Sequence, residues 1–338
     1  MKQTAFAKYL TQFMVNYLVG ERGYSRHTVS AYRDTIILLL LYMRQVHGLG
    51  AEHIDFRHIT RDRVVGFLYW LETDRGCSAS TRNARLAALR SFFRFLTYKY
   101  PDYIGEWQGI LSIKVKKSTT PTVIYLTAEG IKLLLCQPDT SKKKGRRDQV
   151  LMTLMFECAG RVQEIADLVP SRINFGKPML LRLDGKGNKT RLVPLCEQVA
   201  KLLNGYMQEN GLLRDKATDY PLFGNGRGEK LTRMAIAAII RKYSNMARST
   251  APHLIPVGVS PHSLRHSKAM LLQQNEVNIV AIRDFLGHAS VTTTEIYARI
   301  DNRLKREALE KTSLVPESSE PPWQSNKGLL AWLESLGN

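Results

Sequence analysis

The sequence predicts a mainly α-helical protein of two domains, with one small antiparallel sheet in the second. Three observations carry this. Apolar residues recur at helical spacing through the first hundred positions, with no convincing strand among them. The pattern lapses between Tyr100 and Leu126, then resumes. Two short apolar runs, Met179 to Leu183 and Thr190 to Leu195, flank Asp184-Gly185-Lys186-Gly187-Asn188, which reads as a hairpin whose turn presents Lys186.

In order, Phe6, Tyr9, Phe13 and Tyr17 share one face of a first helix ending at Gly20 and Gly23. A second starts at a cap near Ser25 and carries Val29, Tyr32, Ile36, Leu40 and Met43. Thr60 caps a third, with Val64, Phe67, Leu68 and Leu71 inward. Ser78 or Ser80 caps a fourth, with Leu86, Leu89, Phe93 and Leu96 as its buried stripe. That helix also carries Arg82, Arg85, Arg90, Arg94 and Lys99 without acidic partners at helical spacing, which points to contact with DNA rather than a solvated face. Arg82 and Arg85 sit near its start, where free N–H groups also favour phosphate.

The lapse holds prolines, glycines and Lys114, Lys116 and Lys117, and reads as a basic linker. Thr127 then caps a helix with Glu129 in its first turn and Ile131, Leu134 and Leu135 inward. The run Lys142-Lys143-Lys144-Gly145-Arg146-Arg147 reads as an exposed loop able to touch DNA backbone. Gln149 to Leu168 reads as a buried helix, a break at Arg161 and a second helix containing Glu164. Thr232 caps a helix from Met234 to Met246, ahead of Pro252 and Pro256. The implied organisation is a helical DNA-binding domain over 1–112, a linker over 113–125, a second domain over 126–312 and a tail over 313–338. The tail is polar and proline-rich from Ser313 to Pro322, then places Leu329, Leu330, Trp332, Leu333 and Leu336 on a short apolar helix. So short a helix must bury its leucines elsewhere, on its own domain or in a neighbouring molecule.

Composition narrows the partner. With 49 Lys and Arg against 30 Asp and Glu, the formal charge is +19 and the pI about 9.8, a field that draws polyanions, nucleic acid foremost. A hydrophobic content of 44% argues for real cores beneath that surface. Cys77, Cys136, Cys158 and Cys196 show no CxxC or Cys/His spacing, so reduced thiols are expected and neither a zinc site nor a disulfide framework. The longest apolar run, Ile36 to Met43, is far short of the roughly 20 residues that span a bilayer, and the first ten residues lack a signal-peptide core. A protein of the cytoplasm or nucleoid, with no membrane partner, is expected.

The chemistry concentrates between Ser260 and Ile300. His262 and Arg265, three residues apart, share a helix face, His288 follows Gly287, and Tyr297 comes nine residues later. On one unbroken helix nine residues rise roughly 13 Å and end about half a rotation out of phase. If both serve one site the chain must turn between them, and Gly287 and Ser290 supply a break and a cap.

Singly, these signals have bland readings: an HxxR by chance, a hairpin turn, a core histidine, a packed tyrosine. Together they are specific. Gly160-Arg161-Val-Gln-Glu164, the hairpin Gly185-Lys186-Gly187-Asn-Lys-Thr-Arg-Leu-Val-Pro-Leu, Pro261-His262-Ser-Leu-Arg265-His266-Ser, Phe-Leu-Gly287-His288 and Thr-Thr-Glu-Ile-Tyr297 resemble, in order and context, the tyrosine recombinase (phage integrase) family. The family includes Xer-type and transposon-borne enzymes. The SxxTRNxxLxxLRxFFxFL pattern from Ser78 resembles its core-binding domain, so the resemblance runs over roughly residues 4–305.

The resemblance implies a SAM-like helical core-binding domain followed by a mixed α/β catalytic domain. It implies that Tyr297 attacks a DNA phosphodiester in line, leaving a 3′-phosphotyrosyl bond and a free 5′-hydroxyl. Arg161 and Arg265 would hold the non-bridging oxygens, Lys186 would protonate the 5′-oxygen, His262 would manage the tyrosine's proton, His288 would bind a phosphate oxygen and Glu164 would brace the site. No metal, ATP or other cofactor is implied. The partners implied are double-stranded DNA carrying specific sites and copies of the chain, or related recombinases, in a tetramer that exchanges C-terminal segments. The sequence departs from the family's Thr-Gly-(Leu/Ala/Met)-Arg, having Cys158-Ala159-Gly160-Arg161, so the backbone before Arg161 is expected to differ. That departure and the tail lean towards integration or transposition of a mobile element. Chromosome dimer resolution, topoisomerase-like strand passage and a catalytically weak DNA-binding accessory protein are the alternatives.

Overall fold

Aromatic packing organises the N-terminal part of the chain. The computed structural model describes residues 4–118, 122–185, 190–214, 217–288, 290, 293–295 and 297. It divides the chain into two units, Met1–Pro121 and Thr122–Asn338.

The first unit contains α1 (Ala5–Thr11), a π-helical stretch Gln12–Glu21, α2 (Arg26–His47), α3 (Arg61–Thr73), α4 (Ala79–Lys99) and α5 (Ile104–Leu111). The side-chain oxygens of Ser25, Thr60 and Ser78 accept from the backbone N–H groups of Thr28, Arg63 and Thr81, so Ser78 rather than Ser80 caps α4. Gly48 closes α2 at φ 66°, a left-handed conformation glycine adopts without steric cost. Phe13 packs against Phe92 with ring centroids 5.0 Å apart, and Phe93 lies 5.2 Å from Trp107. All four rings are buried, each contributing roughly 1.5–3 kcal/mol relative to exposure.

The first helix departs from expectation. It winds as α only to Thr11, then as π through Glu21, with Gly20 inside it. Phe13 and Leu18, five residues apart and both fully buried, explain the change: i→i+5 winding aligns them, whereas α winding would rotate them apart.

Most of the arginines on α4 tie the unit together. Arg82 donates to the Lys114 carbonyl (3.2 Å), Arg85 to the Ala31 carbonyl (3.0 Å) and Thr35 Oγ1 (3.1 Å), and Arg90 to the Ile113 carbonyl. Asn83 brackets Lys116, donating to its carbonyl (2.8 Å) and accepting from its N–H (3.0 Å), while Lys116 Nζ pairs with Glu72 (3.0 Å). Residues 113–118, the start of the expected linker, are therefore held along α4. Arg94, Lys114 and Lys117 are exposed, without an ion-pair partner among the described residues.

The second unit runs α6 (Ala128–Leu135), α7 (Lys143–Glu157), α8 (Val162–Ala166), β1 (Ile173–Asn174), β2 (Met179–Asp184), β3 (Thr190–Leu195), α9 (Glu197–Glu209), α10 (Arg233–Thr250), α11 (Pro261–Gln274) and α12 (Ile279–Leu286). The strands form one antiparallel sheet in the order β1-β2-β3, with Leu181 opposite Val193 and Leu183 opposite Arg191. Inward Leu181, Leu183, Val193 and Leu195 join Leu151, Leu154 and Met155 of α7, Leu203 and Met207 of α9, and Ile236 and Ile240 of α10 in one core.

The basic run at 142–147 is not the loop its charge suggests, because Lys143 onward forms the first turns of α7. Cations there oppose the helix dipole, and tertiary acceptors override that cost. Arg146 Nε lies 2.9 Å from Glu209 Oε2. Arg147 pairs with buried Asp148 (2.7 Å), which also accepts from the Tyr243 hydroxyl (3.0 Å). A Cβ at Gly145 would run into the Asp139 carbonyl oxygen, which admits only glycine in this turn. Among the described residues no helix is long and apolar enough to cross a membrane.

Candidate active site

The site assembles where α7, α8, α11 and α12 end or begin. After Glu157 the chain turns through Ala159 at φ 46°, and Arg161 becomes the N-cap of α8. A left-handed non-glycine residue costs roughly 1–2 kcal/mol. The Ala159 carbonyl that this turn presents receives Arg265 Nη1 at 2.6 Å, while Arg265 Nη2 donates to the Leu286 carbonyl at 2.6 Å. Gly160 is needed for packing, since a Cβ there would lie 2.6 Å from Ile165 Cδ1. The displaced glycine therefore leaves the strained position to an alanine.

Arg265 is 4% exposed and has no carboxylate within ion-pair distance among the described residues. Burial, then Arg161 and Arg191, pull its guanidinium down to about 10, still charged at neutral pH. A buried cation held by two carbonyl dipoles, with no carboxylate on it among the described residues, favours an anion beside it.

Arg161 donates to Glu164 Oε1 (2.7 Å) and to the Gly287 carbonyl (3.0 Å), and its own N–H donates to Glu164 Oε2 (2.9 Å). Arg191 on β3 forks onto the same carboxylate at 3.0 and 2.8 Å. Burial, the largest influence on Glu164, raises its pKa, yet the hydrogen bonds and charges of Arg191 and Arg161 together hold it below its usual value. Two guanidiniums thus share one carboxylate. Gly287 ends α12 at φ 64°, and a Cβ there would press within 3.2 Å of Arg191.

His288 Nδ1 lies 2.9 Å from buried Thr294 Oγ1. Burial and the nearby Arg265 and Arg161 push this imidazole down to about 4. Tyr297 is 1% exposed and packs with Ala159, Ala269, Met270, Ile282 and Leu286. Burial raises its phenol to about 12.

The Tyr297 hydroxyl lies 2.8 Å from Nδ1 of His266, one turn along α11 from His262. Tyr297 packs beside Ala269 and Met270, further along α11, so the histidine one turn later reaches it. His262 sits exposed in the first turn of α11, its ring 6.3 Å from that of His266 and without a hydrogen-bond partner among the described residues. Desolvation, then Arg265 and Arg161, lower its pKa. Burial, then His262 and Arg265, push His266 to about 4.

Of the residues singled out from sequence, Arg161, Arg265 and His288 converge through the carbonyls of Ala159, Leu286 and Gly287, and Tyr297 joins α11 through His266. Glu164 grips two arginines and no histidine. Lys186 and the tail over 313–338 lie outside the described residues. Arg191 and His266 escaped the sequence reading, although strand alternation and the i, i+4 relation to His262 were available signals. Among the described residues no group of three or more His, Cys, Asp or Glu side chains could hold a metal ion.

Residues 125–303 match the model of the phage integrase family, and residues 10–99 that of the phage integrase N-terminal SAM-like domain. The chain is 33% identical over 335 residues to the putative integrase/recombinase y4rC of Sinorhizobium fredii, covering 99% of each chain. It is 29% identical over 299 residues to the tyrosine recombinase XerD of Listeria monocytogenes, covering 88% of this chain and 96% of that one. The XerH site-specific recombinase bound to difH substrate, a pre-cleavage complex, superposes with a TM-score of 0.64 at 25% identity over 83% of this chain and 78% of that one. The Tn1549 transposon integrase bound to transposon right end DNA shares the fold, with a TM-score of 0.67 at 14% identity over 88% of this chain and 98% of that one.

Proposed function

The chain belongs to the phage integrase family of tyrosine recombinases, and from that premise we propose that it cuts and rejoins double-stranded DNA at specific sites through a covalent bond to Tyr297. The observation that carries this reading is the buried Arg265 guanidinium, without an ion-pair partner among the described residues, beside Arg161 and near a buried tyrosine. A phosphodiester is an anion that these guanidiniums can bind. Arg265 and Arg161 hold its non-bridging oxygens and stabilise the charge of the pentacoordinate transition state. His288 holds an oxygen by hydrogen bond, and exposed His262 lies one helical turn from His266. Glu164 and Arg191 position Arg161. Lys186 is our candidate for the acid that protonates the 5′-oxygen.

Attack by Tyr297 preserves the bond energy as a phosphotyrosine, so a 5′-hydroxyl of another duplex reverses the step without ATP or metal. A tetramer on two synapsed sites is the assembly in which we propose strand exchange takes place. Residues 1–112 serve as core-binding domain and 126–312 as catalytic domain. Arg94, Lys114 and Lys117 contact DNA backbone, and Lys116, Arg82, Arg85 and Arg90 shape that surface. For purpose we favour integration or transposition of a mobile element over dimer resolution: the match to a putative integrase/recombinase spans 335 residues, that to XerD 299.

A nicked suicide substrate in EDTA tests the reading. Wild type traps a covalent protein–DNA adduct and Tyr297→Phe traps none. Site binding without adduct, in EDTA or with magnesium, removes the recombinase reading, and adduct formation by Tyr297→Phe removes the nucleophile.

A further inference from the structure

A tyrosine that attacks phosphorus must lose its hydroxyl proton as the new bond forms, so something must stand within hydrogen-bond reach to take it. Among the described residues the side chain that does so is His266, with Nδ1 2.8 Å from Oη. Its ring lies 5.8 Å from the Tyr297 ring, tilted and half-buried, so hydroxyl and imidazole face each other away from bulk water. The groups around it are His262 and Arg265 on its own helix, Tyr297 against it and His288 beyond.

We propose that His266 is a catalytic residue: its Nδ1 takes the Tyr297 proton during strand cleavage and returns it during ligation. The inference rests on the reading of Tyr297 as nucleophile. The resting tautomer carries hydrogen on Nε2 and leaves Nδ1 bare to accept the phenol O–H. In cleavage the Oη–P bond forms, the P–O5′ bond breaks, the phenolic proton passes to Nδ1 and the 5′-oxygen takes a proton from its own acid. In ligation each transfer reverses. The basicities fit this order of events, because a phenol at about 12 beside an imidazole at about 4 stays protonated until phosphorus begins to bond with it.

The test uses the full chain with His266→Asn, whose Oδ1 can accept the same hydrogen bond but cannot take a proton. Single-turnover adduct formation is followed across pH on a normal nicked substrate. It is repeated on one with a 5′-bridging phosphorothiolate, whose leaving sulfur needs no protonation. We expect cleavage roughly 10²–10⁴-fold slower with DNA binding retained. The defect should persist on the phosphorothiolate, and the variant's rate should climb with pH as solvent base takes over. A His266→Asn rate within about threefold of wild type overturns the proposal, as does a defect that vanishes on the phosphorothiolate, which would place His266 on the leaving-group side. If the variant fails to fold, ¹⁵N-labelled wild type decides, since a resting Nδ1–H tautomer at His266 overturns the assignment. Wild type without adduct would instead fault the Tyr297 reading itself. Adduct from wild type, none from Tyr297→Phe and full speed from His266→Asn fault this inference alone.

Discussion

Glu164→Gln should separate the structural from the chemical use of charge in this site. The carboxylate is 6% exposed and accepts three guanidinium hydrogen bonds, two from Arg191 and one from Arg161, plus the Arg161 backbone N–H. An amide offers one acceptor oxygen and turns an N–H₂ towards donors, leaving the Arg161 and Arg191 guanidiniums without a carboxylate. Removing one partner of a buried ion pair costs roughly 3–5 kcal/mol. For a unit of this size each kcal/mol is worth about 2–4 °C, so the transition should fall by roughly 6–20 °C in calorimetry. Sulfate should restore the variant more than wild type, because an added anion replaces the lost charge. The pH dependence has a fixed sign. A carboxyl held below its unfolded value contributes stability that is present above the unfolded pKa, about 4.3, and is lost as pH falls through the folded one. Wild type should therefore show an acid-labile component below about pH 4.3 that Glu164→Gln lacks. A transition within about 2 °C of wild type, or equal rescue of both proteins by sulfate, would refute the reasoning.

Further perturbations bear on neighbouring features. Ala159→Gly should stabilise by up to about 1 kcal/mol, the relief of left-handed strain exceeding glycine's entropy, while Ala159→Val should destabilise strongly; thermal unfolding reads both. His266 and His288 sit near 4, below the unfolded value of about 6.5, so the unfolded chain binds protons first and stability should fall as pH drops from about 6.5 to about 4, a slope that His288→Gln should reduce in equilibrium unfolding. A native thiol titration should label exposed Cys136 and Cys196 and spare buried Cys158, whose thiol burial lifts to about 12; rapid modification of Cys158 would contradict the packing of α7. Arg94→Ala should weaken DNA binding and reduce its salt slope by about one, whereas Arg90→Ala should chiefly lower thermal stability through the lost bond to Ile113.

Much of this was legible in the sequence because it is local. Helix caps at Ser25, Thr60, Thr127 and Thr232, the hairpin strands and the break before Arg161 depend on residues within a turn of one another. What stayed hidden is non-local. Arg90 and Arg94 look alike on a helical wheel, yet one meets a carbonyl 23 positions away and the other meets solvent. The basic run at 142–147 looked solvated because Glu209, which neutralises Arg146, lies 63 residues on. His266 was overshadowed by His262 because nothing in the chain says which turn of α11 will face a tyrosine 31 residues later.

The same non-local field explains why the site can rest without reacting. Arg161 and Arg191 share one carboxylate and Arg265 has none within ion-pair distance among the described residues, and with burial their charge holds His288 near 4, as burial, His262 and Arg265 hold His266. On the proposed chemistry, neutral imidazoles beside a protonated phenol are the ground state of Tyr297 before attack. An incoming phosphodiester brings one negative charge to the guanidiniums, which offsets the repulsion that disfavours imidazolium and so makes both rings more basic when a proton has to be moved. On the proposed chemistry the substrate therefore assembles its own base, and activity should require the phosphate at the cleavage point. A duplex with a neutral methylphosphonate at that position would leave His266 at its low basicity. The expected result is retained binding with adduct formation slowed at least as much as by His266→Asn, and a methylphosphonate cleaved as fast as phosphate would show that the arginine field, not the substrate's charge, sets the histidine.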